Sequence, residues 1–235
     1  MAEATPFLTS ERVSSKRVAR FEAVVFDMDG VLIDSEPLHY AASNQVLAAS
    51  GGIERDEYET FIGTTLQFFW DTLIPRRGLT ETRAFYEDQY ETTVLRILAT
   101  PLPAAPGATE LVARLRELGV RLALASSSRR SWIDATLAAI GLTGAFEVLV
   151  SGDDVEHGKP EPDIYLLAAA RLGVPAERCL AIEDSPNGVM SASRAGMQVL
   201  GVRTPYTAHL TLVGATRVVD SLTDLDLRGD PFADF

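Results

Sequence analysis

The sequence predicts an α/β fold, in which a doubly wound parallel sheet carries an inserted helical bundle. From Ala108 onward, short apolar segments alternate with amphipathic segments that end at glycines, as strands and helices do in such a sheet. Between Arg55 and Leu98 the pattern is helical and shows no strand-like alternation. An apolar run at Val24–Phe26 precedes this helical part, so the bundle is expected to interrupt the sheet after its first strand.

The first elements follow from local signals. Val24–Phe26 is an apolar run bounded by a glycine, which is typical of a strand buried on both faces. A helix is predicted to begin at Glu36, with Pro37 suited to its first turn, and to stop at Gly51-Gly52. The helical pattern after Arg55 is broken at Gly63 and at 75–78. The proline-rich stretch 100–107 is typical of a stiff connector.

The remaining chain alternates regularly between the two kinds of element. Helices are predicted at 108–118, 132–140, 162–172 and 188–195, and strands at 120–125, 147–150, 179–182, 198–202 and 216–219. We therefore expect a sheet domain formed by residues 21–35 and 104–235, and a helical domain formed by 36–103. Residues 1–20 are expected to be a flexible leader, with an organelle-targeting peptide as the less favoured alternative.

Two apolar features are expected to be structural. Phe61, Phe68, Phe69 and Trp70 are interpreted as the core of the helical bundle rather than as a ligand site. Cys179 lies in an apolar run and is the only cysteine, so a buried structural thiol is favoured over a nucleophile.

The composition limits the possible partners. The chain has 235 residues, 46% of them hydrophobic and 23% charged, and a net charge of −12. A field of that sign repels nucleic acids and anionic membranes, and no apolar run approaches membrane-spanning length. We expect a cytoplasmic monomer or weak dimer without nucleic-acid or membrane partners. A phosphorylated substrate would be repelled as well, so a phosphate site here needs its own local positive charge.

The end of the first strand carries the main chemical signal. Asp27 and Asp29 are two residues apart in extended backbone and therefore point the same way, and Gly30 follows them. Neighbouring carboxylates in a partly dry site need a cation or a shared proton. A strand end with a simple Asx turn is the less favoured interpretation. A helix-loop-helix calcium site is excluded because its twelfth position, which requires Glu, is Leu38.

Three other strand ends carry polar residues. Ser126, Ser127 and Ser128 precede a helix, a pattern that suits either an anion site or a simple helix cap. Lys159 follows the third strand between Gly158 and Pro160, and Glu183 and Asp184 follow the fourth. Because ligands bind at the carboxyl ends of parallel strands, the four acids are expected to meet there. Such hard oxygen ligands select Mg2+.

These four motifs closely resemble those of the haloacid dehalogenase-like hydrolases, in that family's order and spacing. The nearest resemblance is to the branch of β-phosphoglucomutases and small sugar phosphatases, which have a Rossmann-like core and a helical cap. It implies that Asp27 is the nucleophile and forms an aspartyl phosphate, and that Asp29 is the general acid and base. Ser126 would hold the phosphoryl group, and Lys159 would neutralise charge.

The resemblance also implies a ligand set for Mg2+. Asp27 and Asp184 would give carboxylates, Asp29 its backbone carbonyl, and Glu183 would bind directly or through water. The implied substrate is a small phosphorylated metabolite, such as a sugar phosphate. The residues expected to contact it are His39, Thr64, Thr65, Ser127 and Arg129.

The cap segment favours one type of reaction over two others. A mutase of this branch grips a second phosphate with a cap arginine, and the segment 62–67 lacks it. A counterpart of the mutases' cap lysine is also missing. We therefore predict a phosphatase, with a β-phosphoglucomutase-type phosphomutase as the alternative. A non-catalytic phosphate-binding relative is the third possibility.

Overall fold

The structure of the protein, a computed structural model, describes residues 20–235. The predicted leader therefore falls outside the described residues, apart from Arg20. The first strand, β1, spans Ala23–Phe26, and four helices follow it: α1 at Glu36–Val46, α2 at Arg55–Glu59, α3 at Leu66–Arg76 and α4 at Arg83–Leu98. The connector after α4 runs to α5 at Ala108–Glu117.

The second part of the chain alternates between strands and helices, as predicted. Its elements are β2 at Arg121–Ala125, α6 at Arg130–Ala139, β3 at Val148–Val150, α7 at Asp163–Leu172, β4 at Cys179–Glu183, α8 at Pro186–Arg194, β5 at Gln198–Val202 and β6 at Arg217–Val219. The helix predicted from Gly188 begins two residues earlier. The Ser185 hydroxyl caps it by accepting from the Gly188 N–H, and Pro186 suits the first turn.

The strands form a single parallel sheet in the order β3-β2-β1-β4-β5-β6. β1 is central, and its Val25 lies opposite Ala123 of β2 on one side and Ala181 of β4 on the other. Because all strands are parallel, the segments that follow β1, β2, β3 and β4 meet at one edge of the sheet. The predicted doubly wound α/β class is confirmed.

Helices cover both faces of the sheet, and the side chains of the strands differ between the two faces. Larger residues such as Phe26 and Leu124 pack against α5 and α6, whereas alanines such as Ala123 and Ala181 pack against α7 and α8. Successive strand residues point to opposite faces, which explains the division. All four strands that surround the predicted site are thereby fixed by buried packing.

Helices α1 to α4 have an apolar cluster of their own, which contains Trp70, Leu73 and Tyr90. Phe61, Phe69 and Trp70 are buried in it, as predicted, but Phe68 is 54% exposed. The prediction was wrong for Phe68 because α3 buries the face that carries Phe69, Trp70 and Leu73, and Phe68 projects from its first turn. Cys179 is buried in the sheet and unpaired, which agrees with a structural thiol.

Within residues 20–235, the helices are all too short or too polar to cross a lipid bilayer.

Candidate active site

Asp27 lies directly after the central strand, where the sheet still holds its backbone. Its N–H donates to the Ile182 carbonyl at 2.9 Å, and its side chain is only 10% exposed. The chain then turns tightly, with the Leu32 N–H donating to the Met28 carbonyl at 2.8 Å. This turn brings Asp29 to the same edge of the sheet as Asp27.

Lys159 joins the ends of three strands. Its Nζ donates to Asp27 Oδ1 at 2.7 Å, to Glu183 Oε1 at 2.6 Å and to the Ala125 carbonyl at 3.1 Å. The ammonium also lies over the ring of Tyr165, 5.1 Å from its centroid. Burial lowers the pKa of Lys159, but the carboxylates of Asp27 and Glu183 raise it by more, so the net shift is upward. The group is therefore a permanent cation at this edge.

Glu183 is fully buried, and both of its oxygens are engaged. Oε1 accepts from Lys159 and from the Tyr165 hydroxyl at 2.8 Å. Oε2 accepts from the N–H groups of Asp184 and Ser185 and from the Ser185 hydroxyl. With five donors, this carboxylate is better suited to positioning Lys159 than to binding a cation directly, so direct metal ligation by Glu183 remains a prediction.

Asp184 lies among negative charges that protein cations compensate poorly. Burial raises its pKa to about 9, and the nearby carboxylates of Glu183, Asp27 and Asp29 add to the shift. Burial also raises the pKa of Asp27 to about 7, because the opposing effect of Lys159 is incomplete. Carboxylate oxygens of Asp27, Glu183 and Asp184 all lie within 4.8 Å of one another. Hard oxygen donors with excess negative charge fit a divalent cation such as Mg2+.

Gly30 allows Asp184 to lie close to the segment that follows β1. Its φ is +74°, and an added Cβ would lie 2.3 Å from Asp184 Oδ2. Gly63 has a similar φ of +81°, but an added Cβ there would meet nothing within 4 Å. Both positions favour glycine, and only Gly30 is also in contact with the acidic cluster.

We expect Gly30→Ala to be more destabilising than Gly63→Ala. Both variants incur the cost of a positive φ, about 1 kcal/mol, and Gly30→Ala also displaces Asp184. Thermal unfolding of the two variants measures the difference. Equal losses of stability would contradict the close packing of Gly30 against Asp184.

The segment after β2 reaches Asp29 through Ser128. The Ser128 hydroxyl donates to Asp29 Oδ2 at 3.1 Å, and the Ser128 N–H donates to the Ser126 hydroxyl, also at 3.1 Å. Ser126 is fully buried, whereas Ser127 is exposed. The role of Ser126 stays a prediction, and Ser128 is an additional residue in contact with Asp29.

The helical part of the chain contacts this edge through aromatic rings. His39 Nδ1 lies 2.8 Å from the Tyr90 hydroxyl, and the His39 ring packs against that of Trp132 in α6. A small cavity between the helices and the sheet domain is lined by His39 and Trp132 together with Asp29 and Ser128. His39 thus lies near Asp29, while its predicted contact with the substrate stays a prediction.

The other predicted contact residues have local partners. The Thr64 hydroxyl donates to the Phe61 carbonyl, and that of Thr65 caps α3 by accepting from the Phe68 N–H. The Arg129 guanidinium forms an ion pair with Glu91 of α4 at 2.6 Å. The structure brings Asp27, Glu183 and Asp184 together with Lys159, while substrate contact by Thr64, Thr65, Ser127 and Arg129 stays a prediction.

Comparison with known proteins places the chain in a family. The model of the haloacid dehalogenase-like hydrolases matches residues 21–196, which is most of the chain. The chain is a haloacid dehalogenase-like hydrolase. The match includes every strand end described above, from Asp27 to Asp184.

Individual relatives of this hydrolase cover nearly all of it. Hexitol phosphatase B of Escherichia coli is 33% identical over 212 residues, which are 88% of this chain and 95% of the relative. Phosphorylated carbohydrates phosphatase of Thermotoga maritima is 33% identical over 75% of this chain and 82% of its own. A crystal structure of a CbbY variant from Rhodobacter sphaeroides, in complex with xylulose 1,5-bisphosphate, superposes with a TM-score of 0.76 at 30% identity, covering 87% of this chain and 96% of that one.

Proposed function

We propose that this hydrolase is a Mg2+-dependent phosphatase that hydrolyses a small phosphate monoester, in the class of sugar phosphates, through an aspartyl-phosphate intermediate. The observation that carries the proposal is the contact of Lys159 with Asp27 in a buried acidic cluster at the end of the central strand. The relatives named as carbohydrate phosphatases support the substrate class.

In the first step, a carboxylate oxygen of Asp27 attacks phosphorus, and the bond from phosphorus to the ester oxygen breaks. The leaving alkoxide takes a proton from Asp29, so an alcohol departs and the phosphoryl group remains on Asp27. Ser126 and Lys159 hold the phosphoryl oxygens in line for the attack. Lys159 already contacts Asp27, so its charge is in place before the substrate binds.

In the second step, a water molecule attacks the phosphorus of the aspartyl phosphate. Asp29 accepts a proton from this water, the bond from phosphorus to Asp27 breaks, and inorganic phosphate leaves, so Asp27 is again a carboxylate and Asp29 is again the protonated acid that began the cycle. The hydroxyl of Ser128 donates to Asp29 Oδ2 and fixes the orientation of that carboxylate for both transfers. Asp29 thus donates a proton in the first step and accepts one in the second.

The cluster fits Mg2+ because its formal charge is otherwise unbalanced. Three carboxyl groups, those of Asp27, Glu183 and Asp184, lie around one buried ammonium, and Asp29 adds negative charge nearby. Asp27 and Asp184 would hold the ion through their side chains and Asp29 through its backbone carbonyl. Bound Mg2+ would neutralise negative charge on the phosphoryl oxygens and on the cluster.

The helical part, which we assign to residues 36–103, would act as a cap over the leaving group. His39 and Trp132 line the small space beside Asp29, and Tyr90 packs against both rings, so the alcohol side of the ester would lie among aromatic rings. The extended segments before α1 and after α4 connect this cap to the sheet domain. Exclusion of water by the cap would favour transfer of the phosphoryl group to Asp27. We further propose a cytoplasmic protein acting as a monomer or weak dimer.

A phosphate-release screen tests the function. We expect the purified chain with Mg2+ to release inorganic phosphate from at least one sugar monophosphate, and chelation of divalent cations to lower the rate by at least about a hundredfold, because the buried acids then repel the substrate. Isomerisation of glucose 1-phosphate with little phosphate release would favour the phosphomutase instead. Binding without turnover on the whole panel would refute both.

A further inference from the structure

Two arginines lie at the boundary between the helical part and the sheet domain, and each is paired with a glutamate. Arg129 follows Ser128 directly, and its Nη1 lies 2.6 Å from Glu91 Oε2 of α4. Arg55 of α2 donates from its Nη2 to the Tyr206 hydroxyl in the loop after β5, and its Nε pairs with Glu59 Oε1 at 3.0 Å. Each of these cations therefore has its charge balanced by a carboxylate.

A third carboxylate lies on the same boundary. Glu36, in the first turn of α1, is partly buried and accepts from the Tyr58 hydroxyl at 3.0 Å. Burial raises its pKa, and the negative charge of Asp29 adds to the shift. The boundary between the helical part and the sheet domain thus carries paired arginines and additional negative charge.

The position of Arg129 makes its pairing relevant to specificity. Its neighbour Ser128 contacts Asp29, the predicted general acid. Arg129 therefore belongs to the short segment that borders the leaving-group side of the proposed site. Glu91 is on the face of α4 that carries Val94 and Leu98, both of which line the cavity beside Asp29. An anionic group on the far end of a substrate would find this guanidinium already bound to a carboxylate.

The pair contributes little to folding. The side chains of Arg129 and Glu91 are 57% and 31% exposed, and ion pairs in such positions stabilise proteins only slightly. We expect charge selection to be the larger effect, because a carboxylate near a binding site repels an incoming anion and also occupies the guanidinium that the anion would bind.

We infer that Glu91 is a specificity-determining residue, which holds Arg129 and thereby selects phosphate monoesters with an uncharged remainder over substrates with a second anionic group. This inference rests on the proposed phosphatase function and narrows its substrate class to monophosphates of neutral polyols or sugars. A second phosphate on the substrate would have to displace the carboxylate of Glu91 from Arg129. It would then remain beside the negative charge of Glu91.

The test compares a sugar monophosphate with the bisphosphate of the same sugar, using the fastest monophosphate of the screen. In Glu91→Gln, Arg129 loses its charged partner, so kcat/KM for the bisphosphate should rise about fivefold to tenfold relative to the monophosphate. The change should appear mainly in KM and should shrink at high salt. Glu87→Gln is the matched control, because Glu87 lies one turn earlier on α4 and pairs with Arg83 at 3.3 Å.

A double variant shows whether the gain acts through Arg129. Glu91→Gln combined with Arg129→Gln should lose the added preference for the bisphosphate. The inference is overturned if Glu91→Gln leaves the ratio of the two kcat/KM values unchanged, or if the wild type already prefers the bisphosphate. Absence of hydrolysis of every monophosphate by the wild type would instead refute the proposed function itself.

Discussion

Asp27→Asn is expected to reduce phosphate release by at least about a thousandfold, because an amide cannot attack phosphorus as a carboxylate does. The side chain keeps its size, and Lys159 retains its contacts with Glu183 and the Ala125 carbonyl. The fold should therefore survive the change. Steady-state phosphate release with the preferred monoester and Mg2+ measures the loss.

Two further variants sharpen this experiment. Asp27→Ala cannot recover a carboxylate by deamidation and should be at least as inactive as Asp27→Asn. Asp34→Asn removes an exposed acid seven residues further along the same segment, and it should leave the rate within about twofold. Retention of more than a tenth of the wild-type rate by Asp27→Ala, in a folded protein, would exclude Asp27 as the nucleophile.

The sheet could be predicted because its strands are buried on both faces. Runs such as Leu122–Ala125 and Cys179–Ile182 are apolar throughout, and glycines such as Gly173 end the intervening helices with a positive φ. The exposure of Phe68 could not be predicted, because the sequence does not show which of the three consecutive residues Phe68, Phe69 and Trp70 points away from the core. Which of them faces outward depends on how α3 packs against α4.

The acidic cluster could be predicted for a topological reason. Parallel strands place Asp27, Lys159 and Asp184 at one edge of the sheet although they are far apart in the sequence. Asp27 and Asp184 carry a recognisable signal, since a charged residue directly after a buried strand is conspicuous, whereas Lys159 lies in the loop after β3 between Gly158 and Pro160. The sequence therefore predicted which groups meet, but not how they share their hydrogen bonds.

Three residues of the site region were missed because their signals are weak in the sequence. Tyr165 occupies a core position of α7, so its contact with Glu183 looks like ordinary helix packing until the hydroxyl is located. Ser128 follows two other serines, and the pattern alone does not show which of them contacts Asp29. Glu91 is one of several acids in α4, and only the placement of the helix against the sheet domain selects it for Arg129.

Lys159→Met is expected to lower the free energy of unfolding by about 3–5 kcal/mol near neutral pH, the cost of removing one partner from a buried ion pair. The side chain of Lys159 is 8% exposed, and it contacts the carboxylates of Asp27 and Glu183. Methionine fills similar space but leaves both acids without their cation. The loss should therefore come from uncompensated charge and not from a cavity.

The pH dependence separates these two causes. In the variant the charge of Lys159 no longer lowers the pKa of Asp27, so burial raises this pKa further above its ordinary value. The folded state then binds more protons than the unfolded state. The free energy of unfolding of the variant then falls as the pH rises from the ordinary pKa of an aspartate toward this raised pKa. Its deficit relative to the wild type should therefore be larger at pH 8 than at pH 5. The contribution of Lys159 itself stays constant across this range, because its pKa is raised above the ordinary 10.5.

Urea unfolding of both proteins at pH 5 and pH 8 measures the two deficits. Arg171→Met is the matched control, because Arg171 pairs with Asp154 at 2.8 Å but is 40% exposed, and its loss should cost no more than about 1 kcal/mol. A cavity or a packing defect would give the same deficit at both pH values. A deficit below that of Arg171→Met would mean that the buried acids do not depend on Lys159, and the proposed role of its charge in phosphoryl transfer would lose its physical basis.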